Sequence, residues 1–218
     1  MSDQQQINRS RMMILLIAGI PITVILISTW LWYYVVQGNL DLVSVLGTSN
    51  NGTLVQPPRE LEGVDLLEAG SLPFHYSELG RKWTFLVPGG DVCDVQCEKN
   101  LYLTRQIHIA LGKGFNRIQR IYLSTTTAAD TAISFPEQSD NRPAPASFDE
   151  FLDTEHRGLK ALKIDRDAFT SLAAEFAADP TIWYLVDPAG WIMMSYNGEV
   201  DYKGVISDMK FLLKNSSE

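Results

Sequence analysis

The sequence predicts a small α/β domain, a mixed sheet flanked by helices, preceded by one transmembrane helix. Three observations carry this. An N-terminal run without charge is long enough to cross a bilayer, strand-length apolar segments alternate with helically spaced ones, and two cysteines sit where the first core strand hands over to a helix. With 218 residues, 45% of them hydrophobic, the chain has material for one medium-sized core and an extension. A net charge of −8 argues against a general nucleic-acid binder. Two cysteines are too few for a disulfide scaffold or a four-cysteine zinc site, and their close spacing suggests one chemical unit.

Residues 1–11 are polar, carry Arg9 and Arg11, and read as a cytoplasmic tail. Residues 12–36 then run for 25 positions without a charge, against the roughly 20 a bilayer requires. Trp30, Trp32, Tyr33 and Tyr34 cluster at the far end like an interfacial aromatic belt, and Pro21 is tolerable inside a membrane helix. A cleaved signal peptide has a shorter apolar core, about 7–15 residues, ending in small residues, so this run reads as an uncleaved anchor. The preceding basic residues place the N-terminus in the cytoplasm. The rest of the chain is then expected outside, at the inner membrane with its domain in the periplasm, where disulfides are permitted.

Residues 37–69 read as a tether, with Asn50-Asn51-Gly52 and Pro57-Pro58 as turn or linker signals and one or two short strands before Gly80. Asn51-Gly52-Thr53 fits a glycosylation sequon but reads as a plain turn. The folded domain is expected over residues 70–218. Its first core strand is Trp83–Val87, broken by Pro88-Gly89-Gly90. From Glu98 to Leu111 the spacing of Leu101, Ile107, Ala110 and Leu111 is helical, and Gly112-Lys113-Gly114 stops it. Arg117–Ser124 reads as a second strand and Thr125–Ser147 as an irregular surface excursion. Phe148–Leu162 and Asp167–Ala178 show helical spacing, the second with a Phe169, Leu172, Ala173, Phe176 stripe. Ile182–Val186, a turn at Asp187-Pro188-Ala189-Gly190, and Trp191–Tyr196 make a hairpin, and Val205–Leu213 closes the chain as a helix.

The chemistry centres on Cys93-Asp94-Val95-Gln96-Cys97. Unpaired N–H groups and the dipole at a helix N-terminus stabilise a thiolate. A helix beginning at Cys93 would bring the two Cα atoms to about 6 Å, within disulfide range. The pair can then be a dithiol, a disulfide, or two ligands for a soft metal. Acidic neighbours Asp91, Asp94 and Glu98 oppose thiolate formation. His108 follows Cys97 by 11 residues, about 16 Å along a helix, too far to share a metal. His75 and His156 read as surface or core residues rather than ligands. Met193 and Met194 point to opposite faces of a strand and read as core packing. Asp179 reads as a turn or cap residue.

The order of elements, with cysteines after the first core strand, resembles the thioredoxin fold. Asp179-Pro180-Thr181 resembles the cis-proline loop that faces the cysteines in such proteins. The three residues between the cysteines, Gly80-Arg81-Lys82-Trp83 and Tyr184-Leu185-Val186-Asp187-Pro188-Ala189-Gly190 resemble the Sco/SenC family over roughly residues 70–213. Those are membrane-anchored, thioredoxin-like copper proteins that help assemble cytochrome oxidase. The resemblance implies a thiol–disulfide oxidoreductase in oxidase assembly. Cys93 would attack if nearer the exposed strand end, Cys97 would resolve, and Pro180 would present backbone to substrate. The implied partner is a respiratory oxidase subunit, whose copper-site cysteines would be kept reduced, or another periplasmic thiol protein. The resemblance also implies a copper chaperone with Cys93 and Cys97 as metal ligands. Its histidine shortly before the third strand is missing here, where Asp179 or Pro180 stands, and carboxylate suits Cu(I) poorly. A non-catalytic scaffold with a static disulfide is the remaining reading. Peroxiredoxin-like chemistry is excluded, since Gly90 stands where that family places a threonine.

Overall fold

A computed structural model describes residues 3–36 and 50–216. Helix α1 (Asp3–Val36) contains Arg11–Tyr34, 24 residues long and apolar enough to cross a membrane, and Pro21 lies inside it without ending it. The expected tether lies partly outside the described residues, at 37–49.

A second compact unit starts at Asn50, not at residue 70. It contains β1 (Thr53–Glu60), β2 (Leu66–Glu68), β3 (Leu72–Phe74), β4 (Trp83–Gly89), β5 (Val92–Cys93) and α2 (Val95–Ala110). There follow β6 (Ile118–Ser124), β7 (Ala132–Ile133), α3 (Phe148–Glu155), β8 (Leu159–Ile164), α4 (Arg166–Leu172), β9 (Trp183–Val186), β10 (Trp191–Tyr196) and α5 (Tyr202–Asn215). The main sheet has the order β1-β10-β9-β4-β6-β8-β2-β3. Its centre, β4, β6 and β8, is parallel and its flanks are antiparallel. The mixed α/β sheet with flanking helices is as expected.

Every residue of β4 is buried, since the strand is covered on both faces, and its one polar side chain, Thr84, is hydrogen-bonded to the Tyr76 hydroxyl at 2.8 Å. Its side chains alternate between two cores. Phe85 and Val87 pack with Leu101 and Ile107 of α2, Tyr122, Trp183 and Met209, while Leu86 packs with Ile121, Leu123, Tyr184 and Val186 on the other face. The β4–α2–β6 crossover places the cysteines at the C-terminal end of β4.

Several expectations are corrected. Pro57 and Pro58 lie inside β1, not in a linker. They are accommodated because β1 is an edge strand whose register shifts between Leu54 and Arg59, so their missing N–H groups leave no ladder bond unmade. The segment from 50 to 80 holds three strands rather than one or two. Pro88 and Gly89 belong to β4, paired with Leu123 and Ser124. The expected helix Phe148–Leu162 ends at Glu155, and Leu159–Ile164 is instead a third parallel strand. Gly158 at φ +80° turns the chain between them, a conformation glycine adopts without penalty. The expected helix Asp167–Ala178 is shorter, Arg166–Leu172, capped by the Asp165 carboxylate and followed by hydrogen-bonded turns; Phe169, Leu172, Ala173 and Phe176 still pack into one core.

Candidate functional site

Gly89 ends β4 directly before the cysteine loop. A Cβ there would lie 2.0 Å from the Tyr122 hydroxyl, and the Tyr122 ring is itself held against Phe148 at 4.9 Å. Gly89→Ala is therefore expected to destabilise the domain by about 1–3 kcal/mol through overpacking. Thermal unfolding checks this, and an unchanged Tm would show that Tyr122 has room to yield.

Helix α2 begins at Val95, not at Cys93, because Asp94 is its cap. The Asp94 carboxylate accepts hydrogen bonds from the Gln96 N–H at 3.0 Å and the Cys97 N–H at 2.9 Å. Cys93 thus precedes the helix and Cys97 lies in its first turn. The two are joined in a disulfide with Cα atoms 5.2 Å apart.

The condition under which Cys93 would attack, that it lie nearer the exposed strand end, is not met. Cys93 is 0% exposed and Cys97 8%. The short strand β7 pairs with β5, the Ser134 N–H donates to the Cys93 carbonyl at 2.9 Å, and Phe135 packs in the same core. The excursion after β6 is irregular, as expected, yet it is bound closely over the cysteine loop. Buried Glu98 accepts from the Ser139 N–H at 2.8 Å and from its hydroxyl. Val92 and Val95 are exposed apolar residues on either side of Cys93 and Asp94.

Pro180 does lie against the cysteine helix, but its peptide bond is trans. The cis bond among the described residues is Gln56–Pro57. The Pro180 carbonyl accepts from Asn100 Nδ2 at 3.0 Å, and Asn100 Oδ1 accepts from Gln96 Nε2 at 2.9 Å. The Asp179 carboxylate caps its own turn, accepting from the Thr181 N–H at 2.9 Å and the Thr181 hydroxyl at 2.6 Å. An open groove of about 720 Å³ runs beside these residues, lined in part by Gln96, Asn100, Thr181, Asn197 and Glu199. Asn100 and the Glu98–Ser139 contact escape sequence reasoning, since neither side chain carries a motif. The Asp94 cap three residues before Cys97 is the one local signal that could have shown where the helix starts.

None of the histidines joins the cysteines. His108 Nε2–H donates to the Phe115 carbonyl at 2.9 Å and its ring stacks on Phe115; burial holds its pKa below the ordinary value. His156 is buried and accepts from Arg120 Nη1 at 3.2 Å through Nδ1. Burial first, then the charges of Arg120 and Arg105, bring its pKa down to about 3. His75 caps the short turn at Tyr76–Leu79. Met193 and Met194 pack against the same core rather than on opposite faces, because β10 shifts register between Ile192 and Met194. Among the described residues no group of three or more His, Cys, Asp or Glu side chains could hold a metal. The donors near the disulfide, Asp94, Glu98 and Asp179, are carboxylates already engaged in hydrogen bonds, so the residues do not fit a copper site of two thiolates and an imidazole.

A family model described as the transmembrane-like, thioredoxin-like, C-terminal domain matches residues 83–156 and 140–216. No curated protein matches the sequence. Among solved structures, the crystal structure of yeast Sco1 is similar at a TM-score of 0.54 and 18% identity, covering 75% of this chain and 99% of that one. The solution structure of apo Sco1 from Thermus thermophilus gives 0.50 and 19%, covering 75% and 97%. BsSco, described as a Sco-family member with a disulfide switch, gives 0.50 and 15%, covering 73% and 96%. At such identities the likeness is one of fold, and the fold is the thioredoxin-like fold of Sco proteins.

Proposed function

Because the chain belongs to the family of transmembrane-like, thioredoxin-like C-terminal domains, we propose that it is a membrane-anchored thiol–disulfide oxidoreductase. The Cys93–Cys97 disulfide at the strand-to-helix junction of a thioredoxin-like fold is the observation that carries the reading. A bridge closing so small a loop constrains few unfolded conformations, which makes a purely stabilising role a weak reason for it. Arg9 and Arg11 before the apolar helix favour a cytoplasmic N-terminus and a domain on the outer face.

In the reduced protein one thiolate attacks a partner disulfide and expels one partner thiolate. The second thiolate then attacks the mixed disulfide, regenerating the Cys93–Cys97 bond and releasing the other. Two electrons pass to the partner, and the two thiol protons end on its sulfurs by way of solvent. The likeness to BsSco, whose structure is described as that of a cytochrome c oxidase assembly protein, supports a respiratory oxidase subunit as the partner, with its copper-site cysteines kept reduced.

The test uses the full chain in nanodiscs, equilibrated with reduced and oxidised glutathione and quenched by alkylation. The expected result is a reversible two-electron couple, lost in Cys93→Ser and Cys97→Ser. A disulfide that stays closed in the folded chain under every poise would leave a scaffold. Titration of the reduced chain with Cu(I) against a chelator addresses the chaperone reading, which requires one-to-one binding that both variants lose.

A further inference from the structure

We propose that Cys97, not Cys93, is the sulfur that exchanges with the partner, and that Cys93 is the resolving sulfur. This rests on the exchange reading and assigns its chemistry. The order is the reverse of what the chain positions suggest, and it follows from what covers each cysteine. Cys93 belongs to a strand paired on β7: the Ala132 N–H donates to the Asp91 carbonyl at 3.0 Å and the Ser134 N–H to the Cys93 carbonyl at 2.9 Å. These bonds lay backbone over the loop, and no part of Cys93 reaches solvent. A partner thiolate or disulfide would have to strip β7 away before reaching it. Cys97 retains 8% exposure and has no strand across it.

The surroundings favour the same choice. Cys97 is the third residue of a 16-residue helix, within the first turn, where the helix field favours negative charge and works against the neighbouring carboxylates of Asp94 and Glu98. Gln96 and Asn100, its neighbours at the preceding position and three residues on, line the open groove that a partner segment can occupy. Asn100 also ties the Pro180 carbonyl to the helix, which fixes the wall of this groove against the cysteine helix. The partner is therefore positioned by the groove beside Cys97.

The steps are then specific. The Cys97 thiolate attacks one sulfur of the partner disulfide, forming the mixed disulfide and releasing one partner thiolate, which takes a proton from solvent. The Cys93 thiolate, formed by proton loss to solvent, attacks Cys97 Sγ and displaces the second partner thiolate. The protein is oxidised by two electrons and the partner reduced by two.

The experiment is timed alkylation of the reduced full chain in nanodiscs with a limiting amount of iodoacetamide, each cysteine read by peptide mass spectrometry. Cys97 is expected to be modified at least about tenfold faster than Cys93, since reaction requires an accessible thiolate. Equal rates, or Cys93 first, would overturn the assignment. Single-cysteine variants give an independent readout with oxidised glutathione as the probe. Cys93→Ser is expected to form the mixed disulfide, and Cys97→Ser only after partial unfolding in urea. Efficient glutathionylation of folded Cys97→Ser would equally overturn it. A disulfide that no reductant opens in the folded wild type counts against the exchange reading instead, while the variants still report which sulfur is presented.

Discussion

Replacing Asp208 with alanine is expected to lower the unfolding free energy of the sheet domain by about 3 kcal/mol, the scale of several buried donors losing one shared acceptor. Asp208 sits on α5 and is 5% exposed. Its carboxylate accepts from the Asn51 N–H at 2.9 Å, Asn51 Nδ2 at 2.8 Å, the Gly52 N–H at 3.1 Å and the Tyr196 hydroxyl at 3.1 Å. No backbone partner replaces it, because residues 51 and 52 precede the β1–β10 ladder, which opens at Thr53. Gly52 is also seated so closely on Met194 and Tyr196 that a Cβ would meet both at 2.6 Å. The start of the domain thus depends on one carboxylate. Asp208→Asn keeps the volume but turns an amide N–H toward N–H donors, so it should recover less than half of the loss. Urea unfolding followed by Trp fluorescence measures both variants. A loss below about 1 kcal/mol for Asp208→Ala, a single net hydrogen bond, would show that water replaces the carboxylate.

The same contact explains why the tether is shorter than the sequence predicts. Asn50-Asn51-Gly52 is a turn signal locally, and nothing within ten residues reveals that Asp208, 157 positions away from Asn51, will fix it, or that Pro57-Pro58 will lie in a strand paired on β10. Non-local pairing is the general reason for the misses. Segment β8 falls within the helical spacing of Phe148–Leu162, and Leu159 and Leu162, three apart, fit both a helix face and a strand covered on both sides. Its strand character comes from pairing with β6 and β2, with Leu159 and Ala161 on one core and Leu162 and Ile164 on the other. By contrast β4, β6, β9 and β10 are legible, since each is rich in β-branched, aromatic and other large apolar residues and bounded by turn residues.

At the site, the cysteine pair and the adjoining Pro180 loop were legible from spacing and resemblance. Their accessibility was not. Burial of Cys93 depends on β7, a two-residue strand within a stretch of Thr, Ala, Ser and Pro that carries no periodicity. The capture of the Pro180 carbonyl by Asn100 likewise depends on packing between elements 80 residues apart.

Acid should weaken the domain well before its carboxylates titrate. His156 is buried as the neutral base, with a folded pKa of about 3 against an ordinary 6.5. Below pH 6.5 the unfolded chain binds a proton that the folded one refuses, so stability is complete above that pH and falls as pH drops toward 3. The difference of 3.5 units amounts to about 5 kcal/mol in full and about 2 kcal/mol already at pH 5. His108, also held below its ordinary value by burial, adds in the same direction. Burial comes first in this resistance to protonation, and the charges facing His156 add to it. Arg120, 5% exposed, donates to it, Arg105 adds repulsion, and only Glu155 opposes them. Glu155 is itself occupied by Arg105 from the cysteine helix and by Arg142 from the excursion that covers Cys93. The carboxylate of Glu175, brought to about 2 by its hydrogen bond to Arg59, acts in the opposite window: its contribution is present above pH 4.5 and lost as pH falls toward 2. Urea midpoints at pH 7.5 and pH 5 therefore isolate the histidines. Wild type is expected to lose about 2 kcal/mol across this interval, and His156→Gln, whose amide oxygen can still accept from Arg120, less than half of that. Equal losses in the two proteins would mean that His156 protonates without unfolding, with Arg120 moving aside to admit the charge.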